Sequence, residues 1–149
     1  MNVRNIGFTL LLLAGSAVAD DYANRVKLIG VWESQGAAGK TSMWSIKDDG
    51  ENLHLVYTEG SQKLADFECN TLGKDCKAKV FGHATTISLY FNGAKLVEME
   101  TRGSEIVKRR FGVAAQGDLM DVELIPISGD AKPETQEYKR AQLATAQSH

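Results

Sequence analysis

The feature that most constrains the fold is a set of four short apolar segments, separated by glycine-containing turns, within residues 86–125. Apolar and polar residues alternate along each segment, which is typical of half-buried β-strands. The turns are centred on Asn92-Gly93, Gly103-Ser104 and Gln116-Gly117. Asn-Gly is a strong hairpin signal, because a type I′ turn requires positive φ at both central residues. The pattern predicts a four-stranded antiparallel meander.

Two-residue turns also predict which residues face each other across neighbouring strands, for example Leu89 and Leu96. The resulting apolar face carries Ile87, Leu89, Phe91, Leu96, Val107, Phe111, Val113, Met120, Val122 and Leu124. The same register puts Glu98, Glu100 and Arg109 on this face, with Glu98 opposite Arg109. Because a buried charge is unfavourable unless it is paired, two hypotheses stay open. The charges form a structural ion pair (or turn to solvent at a bulge), or they orient the head group of a ligand.

Further strands are predicted on both sides of this meander, at residues 27–33, 43–47, 53–58, 64–69, 76–81 and 137–141. In the hairpin around Asp49-Gly50, Trp44 is expected opposite Leu55. A short helix is expected at residues 20–28. About 8–10 short strands at regular spacing, without a substantial internal helix, predict an all-β fold, an antiparallel up-and-down meander that closes into a barrel.

The amino terminus has the three parts of a secretory signal peptide: a positive residue (Arg4), an apolar run (6–14) and an Ala-x-Ala cleavage motif (17–19). We expect residues 1–19 to be a signal peptide, 20–141 a single barrel domain and 142–149 a disordered tail. The apolar run is too short for a bilayer span, so no membrane anchor is expected after cleavage. A periplasmic or secreted location favours a disulfide between Cys69 and Cys76.

Composition and motifs exclude several classes of function. A net charge of −2 and the lack of a basic stripe argue against a nucleic-acid partner. The three histidines (His54, His83 and His149) do not have the spacing of metal ligands, and no Gly-x-Ser-x-Gly motif is present. We therefore expect no metal, no cofactor and no catalytic residues.

The segment Gly30-Val31-Trp32 resembles the Gly-x-Trp signature on the first strand of lipocalins and other calycins. In that family an arginine near the end of the last strand packs over the tryptophan and closes the barrel base, and Arg140 stands at the matching place. The layout is similar to that of small secreted lipocalin-like proteins of bacteria, which are mostly uncharacterised. The resemblance implies a barrel with an apolar interior that holds a small hydrophobic ligand.

The sequence thus predicts an exported, non-enzymatic barrel that binds a small apolar or amphipathic molecule. The expected ligand-binding residues are Trp44, Leu55, Phe67, Leu89, Glu98, Arg109, Phe111, Val122 and Tyr138. Arg140 is expected to stack on Trp32, or else to join Arg109 in binding a carboxylate. Two alternatives remain: a filled barrel that acts through its surface as an envelope interaction module or inhibitor, and a small hydrolase or isomerase that uses Glu98, Glu100 or Tyr138. Interior volume separates the first alternative from a carrier.

Overall fold

The computed structural model describes residues 16–36 and 39–142, and within them it contains one helix and ten strands. The helix is α1 (Ser16–Leu28). The strands are β1 (Gly30–Gln35), β2 (Thr41–Asp49), β3 (Asn52–Glu59), β4 (Gln62–Asn70), β5 (Cys76–Val80), β6 (His83–Asn92), β7 (Lys95–Arg102), β8 (Glu105–Val113), β9 (Leu119–Pro126) and β10 (Glu134–Arg140). Residues 1–15 of the predicted signal peptide and 143–149 of the predicted tail lie outside the described residues.

The strands form a closed antiparallel barrel in which each strand pairs with its neighbours in the chain, and β1 pairs with β10. The predicted all-β meander with a short amino-terminal helix is confirmed. We name the end that carries α1 and the turns at Gly50 and Gly93 the closed end, and the end with the turns at Gly60, Gly82 and Gly103 the open end. Because α1 continues to residue 28, the first strand begins at residue 30, three residues later than predicted.

The predicted register of the β6–β7 hairpin is wrong by two residues. Leu89 pairs with Glu98 and not with Leu96. The turn consists of Gly93-Ala94, and only its glycine has a positive φ (60°). This arrangement, with positive φ at the first central residue alone, corresponds to a type II′ turn, whereas the prediction assumed type I′.

The β2–β3 hairpin shows the same difference. Trp44 pairs with Tyr57 and not with Leu55, and the turn consists of Gly50-Glu51. Because side chains alternate with a period of two, a shift of two residues leaves every side chain on its predicted face. The predicted apolar face therefore still points into the barrel.

Large apolar side chains fill the interior at the closed end. Their exposed fractions are 2% or less, and they include Leu28, Trp32, Ile46, Leu53, Leu55, Ile87, Leu89, Leu96, Phe111 and Met120. Burying one such side chain stabilises a fold by about 1.5–3 kcal/mol. This filled half is the hydrophobic core of the barrel.

Helix α1 covers the closed end through Arg25, a residue that the sequence reasoning missed. Arg25 Nε and Nη2 donate to the two carboxylate oxygens of Asp48 (3.0 and 2.9 Å), and Nη2 also donates to the carbonyl oxygens of Gly50 and Asn52 (2.7 Å each). The hydrogen bond from Arg25 lowers the pKa of Asp48. Helix α1 is neither long nor apolar enough to cross a membrane.

Arg140 lies over Trp32 at the closed end, with its guanidinium carbon 4.1 Å from the ring centroid. The guanidinium also donates to the carbonyl oxygens of Ile29 (2.7 Å) and Lys27 (2.8 Å). Gly30 makes room for it: a Cβ at this position would lie 2.5 Å from Arg140 Nη1, and its φ of +139° already disfavours other residues. The guanidinium thus connects α1 to the last strand.

The predicted disulfide between Cys69 and Cys76 is confirmed. It joins the end of β4 to the start of β5. Those two strands share one residue pair, Ala65 and Val80, whereas the other consecutive strands share five or more. The disulfide therefore supports the junction where the backbone pairing is weakest.

Candidate functional site

A cavity of about 480 Å³ occupies the interior at the open end. This volume lies within the range of small-molecule pockets, about 300–1,000 Å³. Aromatic and aliphatic side chains alternate with polar ones in its lining, which comprises Gly36, Trp44, Tyr57, Glu59, Phe81, Arg109, Val122, Leu124, Glu134, Thr135, Gln136 and Tyr138. The barrel is therefore filled at one end and hollow at the other.

The cavity contains part of the predicted binding set. Four of the nine predicted residues line it, namely Trp44, Arg109, Val122 and Tyr138. The other five are packed outside its lining, namely Leu55, Phe67, Leu89, Glu98 and Phe111. Strand alternation distinguishes inward from outward positions, but it does not say how high along the barrel axis a residue lies.

Sequence reasoning missed six residues of the lining, namely Tyr57, Glu59, Phe81, Glu134, Thr135 and Gln136, and it placed Leu124 on the inward face without including it in the binding set. Alternation contained a signal for two of them, because Tyr57 and Glu59 share the inward face of β3 with Leu55. Phe81 had a different signal, a large aromatic residue next to a turn glycine. Neither signal shows which strands end at the rim.

Arg109 forms the polar part of the cavity floor. Its Nη1 donates to Glu98 Oε2 at 2.9 Å and to Glu100 Oε1 at 2.6 Å. Its guanidinium carbon also lies 5.5 Å from the ring centroid of Trp44. Glu98 has no exposed surface, and its Oε1 has no hydrogen-bond partner among the described residues.

The pKa values of the two glutamates beside Arg109 are shifted in opposite directions. Burial, together with the negative charge of Glu100, raises the pKa of Glu98 to about 8, although Arg109 acts in the opposite direction. Burial also opposes the ionisation of Glu100, but the charge of Arg109 and the hydrogen bonds to Glu100 outweigh it and lower its pKa. These opposite shifts favour a protonated Glu98 beside an ionised Glu100, an arrangement in which the cluster with Arg109 has no net charge.

A polar network bridges the seam between β1 and β10 near the opening. These strands pair only at Trp32–Arg140 and Glu33–Lys139, close to the closed end. Further up, Gln136 Nε2 donates to the hydroxyl oxygens of Ser34 (3.1 Å) and Ser42 (3.3 Å), and the Ser42 hydroxyl donates to the Tyr138 hydroxyl (3.3 Å). Side-chain hydrogen bonds thus connect β10 to β1 and β2 where the backbones of β1 and β10 are not paired. Two residues of this network, Gln136 and Tyr138, also line the cavity.

Three aromatic rings form a continuous wall from the floor to the rim. The ring centroids of Trp44 and Tyr57 are 4.7 Å apart, and those of Tyr57 and Phe81 are 6.0 Å apart. Among the described residues, Phe81 is the one non-glycine with a positive φ (50°), and its side chain is 41% exposed. A bulky residue rarely adopts this conformation, and such strain is concentrated at functional sites.

No protein-family model matches this sequence, and no curated protein sequence matches it. Solved structures do match its fold. A secretory abundant heat soluble protein from Ramazzottius varieornatus has a TM-score of 0.65 at 14% identity, over 77% of this chain and 96% of that chain. A Schistosoma mansoni fatty acid binding protein, in complex with arachidonic acid, has a TM-score of 0.66 at 14% identity, over 80% and 99%. Echinococcus granulosus fatty-acid-binding protein 1 has a TM-score of 0.66 at 7% identity, over 78% and 99%. The chain thus shares the closed antiparallel β-barrel fold of these proteins.

Proposed function

We propose that this chain is an exported, non-enzymatic barrel that binds one small apolar or amphipathic molecule in the cavity at the open end. The observation that carries this proposal is the division of the interior into a filled half and a hollow half. The disulfide supports export, because disulfides persist in oxidising compartments. A protein of the same fold in complex with arachidonic acid supports the kind of ligand.

The cavity lining supports binding over the two alternatives. A barrel that acts only through its surface does not require an interior cavity of about 480 Å³. It also does not require a strained, half-exposed Phe81 beside that cavity. A hydrolase or isomerase needs a carboxylate that reaches its substrate. Glu98 and Glu100, the two carboxylates expected to carry such chemistry, both bind Arg109, and neither lines the cavity.

A cavity-filling substitution tests this proposal. We would titrate the mature chain (residues 20–149) with the neutral fluorescent probe N-phenyl-1-naphthylamine and compare it with Leu124→Trp, which places an indole in the cavity. The matched control is Ile125→Trp, because Ile125 is the next residue on β9 and points outward. We expect saturable binding by the wild type and Ile125→Trp, and affinity at least about tenfold weaker in Leu124→Trp. Equal binding by all three proteins would refute the proposed site.

A further inference from the structure

The side chains that line the cavity carry more negative than positive charge. Glu59 and Glu134 both line it at the open end, and both are exposed there. Arg109 is the one cationic side chain in the lining formed by the described residues. Its charge is already matched inside the wall, because Nη1 binds both Glu98 and Glu100. A molecule that enters therefore meets two carboxylates that no cation of the lining offsets.

Aromatic side chains line the same cavity as these carboxylates. The Tyr57 hydroxyl donates to Glu59 Oε1 at 2.8 Å, which holds the carboxylate at the rim of the aromatic wall. Phe81 stands beside Tyr57, and Tyr138 lines the same cavity. Aromatic faces attract cations through their quadrupoles, and quaternary ammonium groups are recognised by such aromatic cages. Aromatic rings and carboxylates on one cavity wall therefore favour a positive head group.

An anionic head group would have Arg109 as its one cationic partner in the lining formed by the described residues. A carboxylate or phosphate binds best to an arginine that offers two parallel N–H groups without competition. Nη1 of Arg109 already binds Glu98 and Glu100, so a carboxylate that approached the other N–H groups of Arg109 would lie beside an ionised Glu100. The rim glutamates would also repel it on the way in.

We propose that the cavity selects an amphipathic organic cation, a protonated amine or a quaternary ammonium, over an anionic lipid such as a fatty acid. The head group lies between Glu59, Glu134 and the rings of Tyr57 and Phe81. The apolar part lies deeper, against Val122, Leu124 and Trp44. This inference rests on the proposed function, since it names the class of ligand for the same cavity.

Three probes with eight-carbon chains and different head groups test the inference. Octyltrimethylammonium, 1-octanol and octanoate each have a chain of eight carbons, which in octanoate includes the carboxylate carbon, and isothermal titration calorimetry at pH 7 measures each dissociation constant below the micellar range. We expect the cation to bind about tenfold more tightly than octanoate at low ionic strength, and the ratio to shrink at high salt because exposed charges are screened. Octanoate binding as tightly as the cation would overturn the inference and leave the proposed function standing. Binding of none of the three would overturn the proposed function as well.

A pair of variants assigns the selectivity to the rim. Glu59→Gln combined with Glu134→Gln removes both charges, and we expect the affinity for the cation to fall to between one and about three times the affinity for octanoate. The matched control is Glu137→Gln, which removes an equal charge from the outward face of β10 and should keep the wild-type ratio. An unchanged ratio in the double variant would overturn the assignment.

Discussion

The guanidinium carbon of Arg109 lies 5.5 Å from the ring centroid of Trp44, and this pair marks the boundary between the filled and hollow halves of the barrel. Below it, Trp44 contacts Phe111 edge to face, with centroids 5.0 Å apart. Above it, Trp44 packs on Tyr57, which faces the cavity. A charged residue at such a boundary needs partners inside the wall, and Glu98 and Glu100 supply them.

The first prediction separates the two glutamates. Because the raised pKa of Glu98 favours its neutral form, Glu98→Gln should lower the free energy of unfolding by about 1 kcal/mol or less. Glu100→Gln removes the ionised partner of Arg109 and should lower it by about 3 kcal/mol. Urea denaturation at pH 7 measures both values. Equal losses for the two variants would mean that the proton is not on Glu98.

The second prediction concerns pH. Glu98 has a pKa of about 8 in the folded state against an ordinary value of 4.5, so the folded state binds its proton more tightly. The stabilisation from this proton is complete below pH 4.5 and is lost as the pH rises through 8, with a slope of up to about 1.4 kcal/mol per pH unit. Relative to Glu98→Gln, the wild type should therefore become less stable between pH 5 and pH 9. Parallel stability curves for the two proteins in urea denaturation would contradict this.

The third prediction concerns Phe81. Asparagine tolerates positive φ better than phenylalanine, so relief of strain in Phe81→Asn should offset the lost ring contact and leave stability within about 1 kcal/mol of the wild type. The affinity for N-phenyl-1-naphthylamine should fall about tenfold, because the aromatic wall loses its outer ring. The comparison is Phe111→Ala in the filled half, which should cost about 3–5 kcal/mol. A comparable loss of stability in Phe81→Asn would show that Phe81 belongs to the core.

The fourth prediction concerns the closed end. Gly30→Ala puts a Cβ 2.5 Å from Arg140 Nη1 at a strained φ, so it should displace the guanidinium from Trp32 and lower the free energy of unfolding by about 3 kcal/mol. The control is Gly112→Ala, whose Cβ would meet only the flexible side chain of Lys95 at 3.3 Å. Thermal unfolding measures both variants. A near-neutral Gly30→Ala would rule out a close packing of Arg140.

Much of the architecture could be predicted from the sequence, because alternation fixes the inward face. Glu98 and Arg109 were placed opposite each other correctly, since Gly103-Ser104 lies at the centre of its turn. The register of β6 and β7 was not predictable with the same rule, because the turn begins at Gly93 instead of ending there. After such a shift, each side chain still lies on the face that alternation predicts, but its cross-strand partner is a different residue.

The position of the cavity was harder to predict. Leu55 and Tyr57 both point inward on β3, yet only Tyr57 lines the cavity. The difference depends on which neighbours fill the space at each level, including Leu28 from α1, and this depends on packing between strands distant in sequence. The importance of Phe81 depends on its backbone conformation, which sequence patterns do not report.

Native mass spectrometry of the mature protein, purified from the envelope or medium of its own host and followed by organic extraction, tests the central claim most directly. We predict one small amphipathic molecule bound per chain in the wild type and in Ile125→Trp, and none in Leu124→Trp. A wild-type protein of unliganded mass that also fails to take up N-phenyl-1-naphthylamine would contradict the claim that the open end is a binding cavity.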